Sequence, residues 1–349
     1  MKDSVVITGG GTGGHLKVAD AFINEFNKRG IKPIFIGSIN GQDKSWFEND
    51  KRLKETFFLD TKGVVNKKGL GKITSLFQIL KAMYKCFGIY NKHKIKTVIS
   101  VGGFSAAPAT FASVLSLGCK LYIHEQNSVM GKLNELTSRF ATNLFSSFDE
   151  NSPIKDYPVS EEFFSNSRIR EDLKTIIFLG GSQGARAIND FAVKVAPSLN
   201  KLGLKIIHQT GGVDFTRISE EYKKLGIEAD VFAFTKEISK KMNEADFAIS
   251  RAGASTLWEL CANSLPTLFV PYPYAAKDHQ YTNAKFIEQK KLCYICRQDK
   301  LNEELLLEIL KKDNTTISKS LLTSIKSDAV ESIVDIILTK DKSSDKKSH

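Results

Sequence analysis

The chain has 349 residues, 42% of them hydrophobic and 26% charged, with a formal net charge of +11 from 50 Lys and Arg against 39 Asp and Glu. This composition excludes a disordered chain, and the length suits two domains, each with its own core. No apolar run reaches the roughly 18 residues that span a bilayer, and Met1-Lys2-Asp3 leads into an apolar strand instead of a cleavable signal, so a cytosolic protein is expected.

Val5-Val6-Ile7 reads as a first strand that runs into Gly9-Gly10-Gly11-Thr12-Gly13-Gly14-His15 and then a helix through Ala19, Phe22, Ile23 and Phe26. Gly9, Gly11 and Gly14 satisfy the dinucleotide spacing, but the second strand, Pro33 to Gly37, ends without the acid that a nicotinamide enzyme uses for ribose. The helical pattern over Ile73–Phe87 has Leu76, Phe77, Ile79, Leu80, Met83, Tyr84 and Phe87 around much of its circumference, interleaved with Lys72, Lys81 and Lys85. No carboxylate occurs between Asp60 and Glu125, whereas Lys62, Lys67, Lys68, Lys92, Lys94 and Lys96 add to the local positive field. One face of this helix is expected to pack on a sheet, while Ile73, Leu76, Phe77 and Leu80, rimmed by lysine, enter an anionic lipid surface. No nucleic-acid docking module is visible, so no nucleic-acid partner is expected.

Further strands, Thr97–Val101 and Leu121–Ile123, end in Gly102-Gly103-Phe104 and in His124-Glu125-Gln126-Asn127. Polar residues and glycines thus gather at strand ends, the edge where open α/β sheets bind ligands. Asp149 to Asp172 reads as a linker. A second α/β cycle follows: Ile176–Leu179 runs into Gly180-Gly181-Ser182-Gln183-Gly184-Ala185-Arg186, and strands at Lys205–His208 and Val231–Phe234 come next. Phe247-Ala248-Ile249 then leads through Ser250-Arg251-Ala252-Gly253 to a helix opened by Ser255 or Thr256. A helix N-terminus offers unsatisfied N–H groups and about half a positive charge, which suits a diphosphate. Glu259 lies one turn further on the same face, where a carboxylate can accept from a ribose diol. Thr267–Pro271 is the next strand, followed by a loop and His279-Gln280-Tyr281-Thr282-Asn283-Ala284 at a helix start. Cys293 and Cys296 lie in an apolar run without a second pair, and read as core packing. The domains expected are 1–155, with a helix at 327–339 packing back on it, and 156–326, with 340–349 a disordered tail.

In family order stand Gly10-Gly11-Thr12-Gly13-Gly14-His15, His124-Glu125-Gln126-Asn127, Gly180 to Arg186, Arg251-Ala252-Gly253-Ala254 with Glu259, and Asp278-His279-Gln280 with Asn283-Ala284. From Val5 to Leu338 the chain resembles the MurG family of peptidoglycan N-acetylglucosaminyltransferases. The resemblance implies the GT-B fold, two Rossmann-like α/β domains with parallel sheets facing across a cleft. It implies an inverting glycosyltransferase that moves N-acetylglucosamine from UDP-N-acetylglucosamine to the 4-hydroxyl of the muramoyl sugar of undecaprenyl-linked lipid I. The product is lipid II, for cell-wall biogenesis and hence cell shape and division. The expected location is the cytoplasmic face of the cell (inner) membrane, bound peripherally.

By the same resemblance, the donor meets Ser182, Ala254, Ser255 and Thr256 at the diphosphate, Glu259 at the ribose, Phe234, Thr235 and Ile238 near the uracil, and His279 and Gln280 at the sugar. Thr12, Gly13, Gly14, His15, Glu125 and Asn127 surround the acceptor. His15 is the first candidate for general base, with phosphate binding or orientation of the acceptor as its competing role, and Glu125 is the second. No Asp-x-Asp motif occurs, so no cofactor is expected, with a divalent ion left open, and helix N-termini with Arg251 are expected to stabilise the leaving group. Three positions depart from the family pattern: Ser160 in the linker in place of an arginine, Val18 in place of proline, and Ala106 in place of serine. Two rival readings share the fold: a transferase acting on another lipid acceptor, and a UDP-sugar epimerase.

Overall fold

The computed structural model describes residues 5–63, 70–181 and 184–345, with side-chain surroundings for all of these except 70–72 and 340–345. The chain divides into two compact units, Met1–Pro158 with Asp328–His349, and Val159–Ser327.

In the first unit β1 (Val5–Thr8), α1 (Gly13–Lys28), β2 (Ile34–Ser38), α2 (Asp43–Phe47) and β3 (Glu55–Leu59) precede the long α3 (Leu70–His93). Then come β4 (Thr97–Ser100), α4 (Ala107–Leu115), β5 (Lys120–Glu125), α5 (Lys132–Thr137) and β6 (Asn143–Ser146). The six strands lie parallel in the order β3-β2-β1-β4-β5-β6. Val6, Ile34, Ile36, Val98, Leu121 and Ile123 share one core with Ala82, Cys86, Ile89 and Tyr90 of α3. Strands covered on both faces read as continuous Val and Ile runs, and these do.

The second unit holds α6 (Glu161–Ser165), β7 (Thr175–Leu179), α7 (Arg186–Lys201), β8 (Lys205–Gln209), α8 (Phe215–Leu225), β9 (Ala229–Phe232) and α9 (Ile238–Glu244). It continues through β10 (Phe247–Ser250), α10 (Ala254–Ala262), β11 (Thr267–Phe269), α11 (His279–Glu288), β12 (Tyr294–Ile295), α12 (Glu303–Leu310) and α13 (Asn314–Leu322). Its sheet is also parallel, in the order β12-β11-β10-β7-β8-β9. Buried Arg170 donates to the carbonyls of Met242 (3.1 Å), Ala245 (3.2 Å) and Asn263 and to Asn263 Oδ1 (2.6 Å). It thereby satisfies the orphan carbonyls at the ends of α9 and α10.

The last helix, α14 (Ala329–Asp345), belongs to the first unit. Its Ile333, Val334 and Ile337 are buried, and Arg29, the C-cap of α1, reaches Asp335 (2.6 Å) and the Glu331 carbonyl (3.3 Å). Where a disordered tail is expected from residue 340, the helix runs on to Asp345, and residues 346–349 lie outside the described residues. Two other expectations shift. The linker region 149–172 contains α6, and β9 ends at Phe232, so Phe234 lies in the following loop. The unexpected β3, β6 and β12 are edge strands or neighbours of the edge, less apolar than the central ones.

The strand order reverses between β1 and β4 in the first sheet and between β7 and β10 in the second. Ligand crevices of open parallel sheets form beyond the carboxyl ends of the strands at this reversal. The turns after those four strands begin with Gly9–Gly14, Gly102–Gly103, Gly180–Gly181 and Arg251–Gly253, which points to one candidate crevice in each unit.

Candidate functional site

In the first unit, the Gly10 N–H donates to Gly102 O (3.1 Å), joining the turns after β1 and β4. Gly103, at φ +82°, approaches so closely that a Cβ there would lie 2.1 Å from Gly10 O, which only glycine tolerates. The first bond of α1 runs from Leu16 N–H to Thr12 O (3.2 Å), so the amides of Gly13, Gly14 and His15 precede it. His15 Nδ1 lies 3.0 Å from Thr12 Oγ1. Its Nε2 side faces Gly102, where a Cβ would sit 3.5 Å from Nε2 and 3.6 Å from Asn134 Nδ2. Thr12, Gly13, Gly14 and His15 are thus brought together at one helix mouth.

Glu125 has a different place. Its buried carboxylate accepts from Asn127 N–H (3.0 Å), Gly131 N–H (2.9 Å) and Asn134 Nδ2 (2.8 Å). It staples the loop that carries Asn127, and that commitment suits a structural anchor better than a proton acceptor. A cavity of about 400 Å³ opens beside this loop, and its charged lining is carboxylate only: Glu125, Asp149 and Glu150. A pyrophosphate therefore favours the α1 mouth over this cavity.

Asp43 escaped the sequence reading. No acid follows β2 directly, but fully buried Asp43, at the start of α2, accepts the N–H groups of Gly11 and of Ser38 (2.8 Å). The carboxylate found near the glycine turn is spent on the turn itself. No sequence spacing announces this, because the contact is made across 32 residues.

In the second unit, α10 opens after Gly253, and its first bond is Leu257 N–H to Gly253 O (2.9 Å). The amides of Ala254, Ser255 and Thr256 come before that bond, and Glu259 is buried one turn along. α11 holds the preceding turn still. Gln280 Oε1 accepts from Ala252 N–H (3.2 Å) and Tyr272 N–H (3.0 Å), while buried Asn283 donates to Ala252 O (3.2 Å). Gln280, expected at the sugar, is therefore also a brace between two loops. His279, at the first position of α11, has Nδ1 2.9 Å from Ala276 O.

Arg251, expected at the leaving group, is bonded within its own unit. Its guanidinium donates to Val270 O (3.0 Å), Pro271 O (3.3 Å) and Gln298 Oε1 (2.7 Å), and lies 5.5 Å from the Tyr272 ring centroid. Burial lowers its pKa from the ordinary value. These bonds tie the turn after β10 to the β11–α11 loop and to Gln298. Phe234 is 62% exposed in the loop between β9 and α9, Thr235 Oγ1 accepts from Glu237 N–H (3.0 Å), and Ile238 opens α9. Ser182 lies outside the described residues.

On α3 the expected division of faces is present. Ile79, Ala82, Cys86, Ile89 and Tyr90 are buried, whereas Ile73, Leu76, Phe77 (71%), Leu80 and Tyr84 (79%) are exposed beside Lys81 and Lys85. The side chain of Lys72 and the whole of Lys67 and Lys68 lie outside the described residues. Among the described residues no helix is long and apolar enough to cross a membrane, and no group of three His, Cys, Asp or Glu could hold a metal ion. Cys293 and Cys296 are buried free thiols, and burial raises both pKa values.

Two family models match: the glycosyltransferase family 28 N-terminal domain over residues 5–146 and its C-terminal domain over 175–338. A UDP-N-acetylglucosamine--N-acetylmuramyl-(pentapeptide) pyrophosphoryl-undecaprenol N-acetylglucosamine transferase of Wolinella succinogenes is 50% identical, covering 96% of this chain and 100% of the relative. One of the same name from Campylobacter jejuni is 52% identical, covering 91% and 92%. The crystal structure of Acinetobacter baumannii MurG matches with TM-score 0.79 and 27% identity, over 97% of this chain and 99% of that one. A Staphylococcus aureus MnaA–UDP structure, 12% identical with TM-score 0.65 over 96% of both chains, shares the fold.

Below the turn after β5, His124 is buried edge-on to Phe22 (6.2 Å) and Tyr157 (5.4 Å). Burial, helped by His15, lowers its pKa from 6.5 to about 3, and burial does the same to His208 in the second unit. Both stay neutral when folded but bind a proton when unfolded below about pH 6.5, so stability is full above that pH and is lost as pH falls toward 3. The urea midpoint of the first unit should therefore fall between about pH 7 and about pH 5, and fall less in His124→Phe. An equal fall in the variant would contradict the buried neutral histidine.

Proposed function

Because the chain belongs to the MurG family within glycosyltransferase family 28, we propose that it moves N-acetylglucosamine from UDP-N-acetylglucosamine to the muramoyl sugar of an undecaprenyl-pyrophosphoryl acceptor carrying a pentapeptide. It is a hexosyltransferase of peptidoglycan precursor synthesis. The observation that carries the donor assignment is the braced start of α10, with the amides of Ala254, Ser255 and Thr256 leading a helix that buries Glu259 one turn on.

The chemistry follows from these groups. Amides fixed before the reaction receive the charge that develops on the departing diphosphate, without reorganising. Glu259 accepts from the ribose hydroxyls, Phe234 and Thr235 with Ile238 flank the uracil, and His279 with Gln280 meets the sugar. At the other substrate, the amides of Gly13 and Gly14 with Thr12 hold the pyrophosphate, and Asn127 contacts the acceptor. In the tautomer whose Nδ1–H donates to Thr12 Oγ1, 3.0 Å away, His15 carries its lone pair on Nε2. That nitrogen removes the proton as the 4-hydroxyl oxygen attacks the anomeric carbon and the bond to the diphosphate breaks, inverting the centre. Glu125 holds the acceptor loop, and no metal enters the scheme.

The exposed apolar face of α3 with its lysines supports peripheral attachment to the cytoplasmic leaflet, where a polyprenyl-linked acceptor resides. The further roles in cell shape and cell division follow from the product.

Purified protein incubated with labelled UDP-N-acetylglucosamine and a short-chain lipid I analogue should place label in a disaccharide lipid. Glu259→Ala should raise the donor KM roughly 10-fold or more, leaving the acceptor KM near wild type. Interconversion of the free sugar nucleotide without transfer would replace the transferase by an epimerase, and unchanged donor kinetics would remove the ribose role. Charge reversal at Lys72, Lys81 and Lys85 should weaken binding to phosphatidylglycerol vesicles by on the order of 10-fold, most strongly at low salt. Equal binding by both proteins would discard membrane attachment through α3.

A further inference from the structure

The loop between β11 and α11 holds two consecutive non-glycine residues in the left-handed region, Lys277 (φ 52°) and Asp278 (φ 54°). L-residues adopt that conformation only where their surroundings over-determine it, and such strain gathers at ligand clamps. Asp278 is also the N-cap of α11, a position that is normally extended and bonded to the helix amides. It makes no side-chain cap bond. Its carboxylate turns to Arg297, just beyond β12, which meets it with both prongs: Nη1 to Oδ1 at 2.9 Å and Nη2 to Oδ2 at 2.6 Å.

The Arg297 guanidinium carbon lies 3.7 Å from the centroid of Tyr281, on the first turn of α11. An exposed ion pair alone contributes little. A two-pronged pair whose cation also stacks on a ring specifies one geometry, which lysine cannot reproduce. The arginine thus ties the strained N-cap and the first turn of the helix to the sheet edge. The residue that follows the strained pair is His279. Its Nδ1 bonds Ala276 O at 2.9 Å, and since a carbonyl only accepts, Nδ1 carries the proton and Nε2 the lone pair. The adjacent Gln298 braces Arg251, so one dipeptide supports both loops of the donor crevice.

We infer that Arg297 is a positioning residue for the sugar half of the donor: it holds Lys277 and Asp278 in the left-handed turn that aims His279 at a sugar hydroxyl. The inference rests on the reading that His279 contacts the sugar. It concerns the hexose alone, since the uridine and diphosphate are assigned to other residues.

The test compares the affinities of UDP and of UDP-N-acetylglucosamine for wild type, Arg297→Ala, Arg297→Lys and His279→Ala, with thermal melting as a control on folding. Arg297→Ala should weaken UDP-N-acetylglucosamine by roughly 10-fold, the size of one lost hydrogen bond, with UDP affinity and melting near wild type. Arg297→Lys should fall between, and His279→Ala should reproduce the selective loss. If His279→Ala is selective but Arg297→Ala weakens both ligands alike, or neither, the inference is overturned and the sugar contact stands. If His279→Ala shows no selectivity, the sugar contact is wrong and the inference goes with it.

Discussion

The peptide of Ala252 is gripped from both sides: its N–H by Gln280 and its carbonyl by Asn283. The end of β10 and the start of α10 are separated by only three residues, so fixing this one peptide fixes where the helix amides point. That matters because amides stabilise a developing negative charge only if they are already aimed at it; a mobile helix end would spend the same energy on ordering itself. The side chains that do the gripping come from α11, so the donor crevice depends on two helices being held in register at adjacent strand ends.

The first unit uses the same device with other residues. Asp43 accepts the Gly11 amide and Glu125 accepts two loop amides and an asparagine. In both units a strongly polar side chain holds a turn beside a helix start, and a histidine, His15 or His279, stands next to it. Buried polar groups of this kind have to be fully bonded to be tolerated, and when they are they rigidify. The amides that open α1 and α10 give each unit its own candidate phosphate site.

Much of this was legible in the sequence, and the reason is geometric. Parallel strands buried on both faces leave unbroken Val, Ile and Phe runs, and the turns at the reversal points demand glycine where backbones touch, as Gly103 does at Gly10 O. Those two signals point to both candidate crevices. What stayed hidden depends on partners distant in the chain. Arg251 reads as a free cation beside a diphosphate site, yet its donors go to two carbonyls and Gln298, 47 residues away. Glu125, the second candidate for the base, is the short-range exception: its oxygens bond Asn127, Gly131 and Asn134 in the loop that follows it, an arrangement no motif announces. Asp43, Arg297 and Gln298 carry no motif at all. The family resemblance names which positions matter; only the contacts distinguish a residue that touches substrate from one that holds a neighbour in place.

The central claim is that uridine diphosphate is held by the second unit at the start of α10. A crystal structure of the protein with bound UDP tests it most directly. The account predicts phosphate oxygens within hydrogen-bond distance of the amides of Ala254, Ser255 and Thr256, with the ribose hydroxyls on Glu259. Density for the diphosphate at the Gly9–Gly14 turn, with α10 unoccupied, would contradict it.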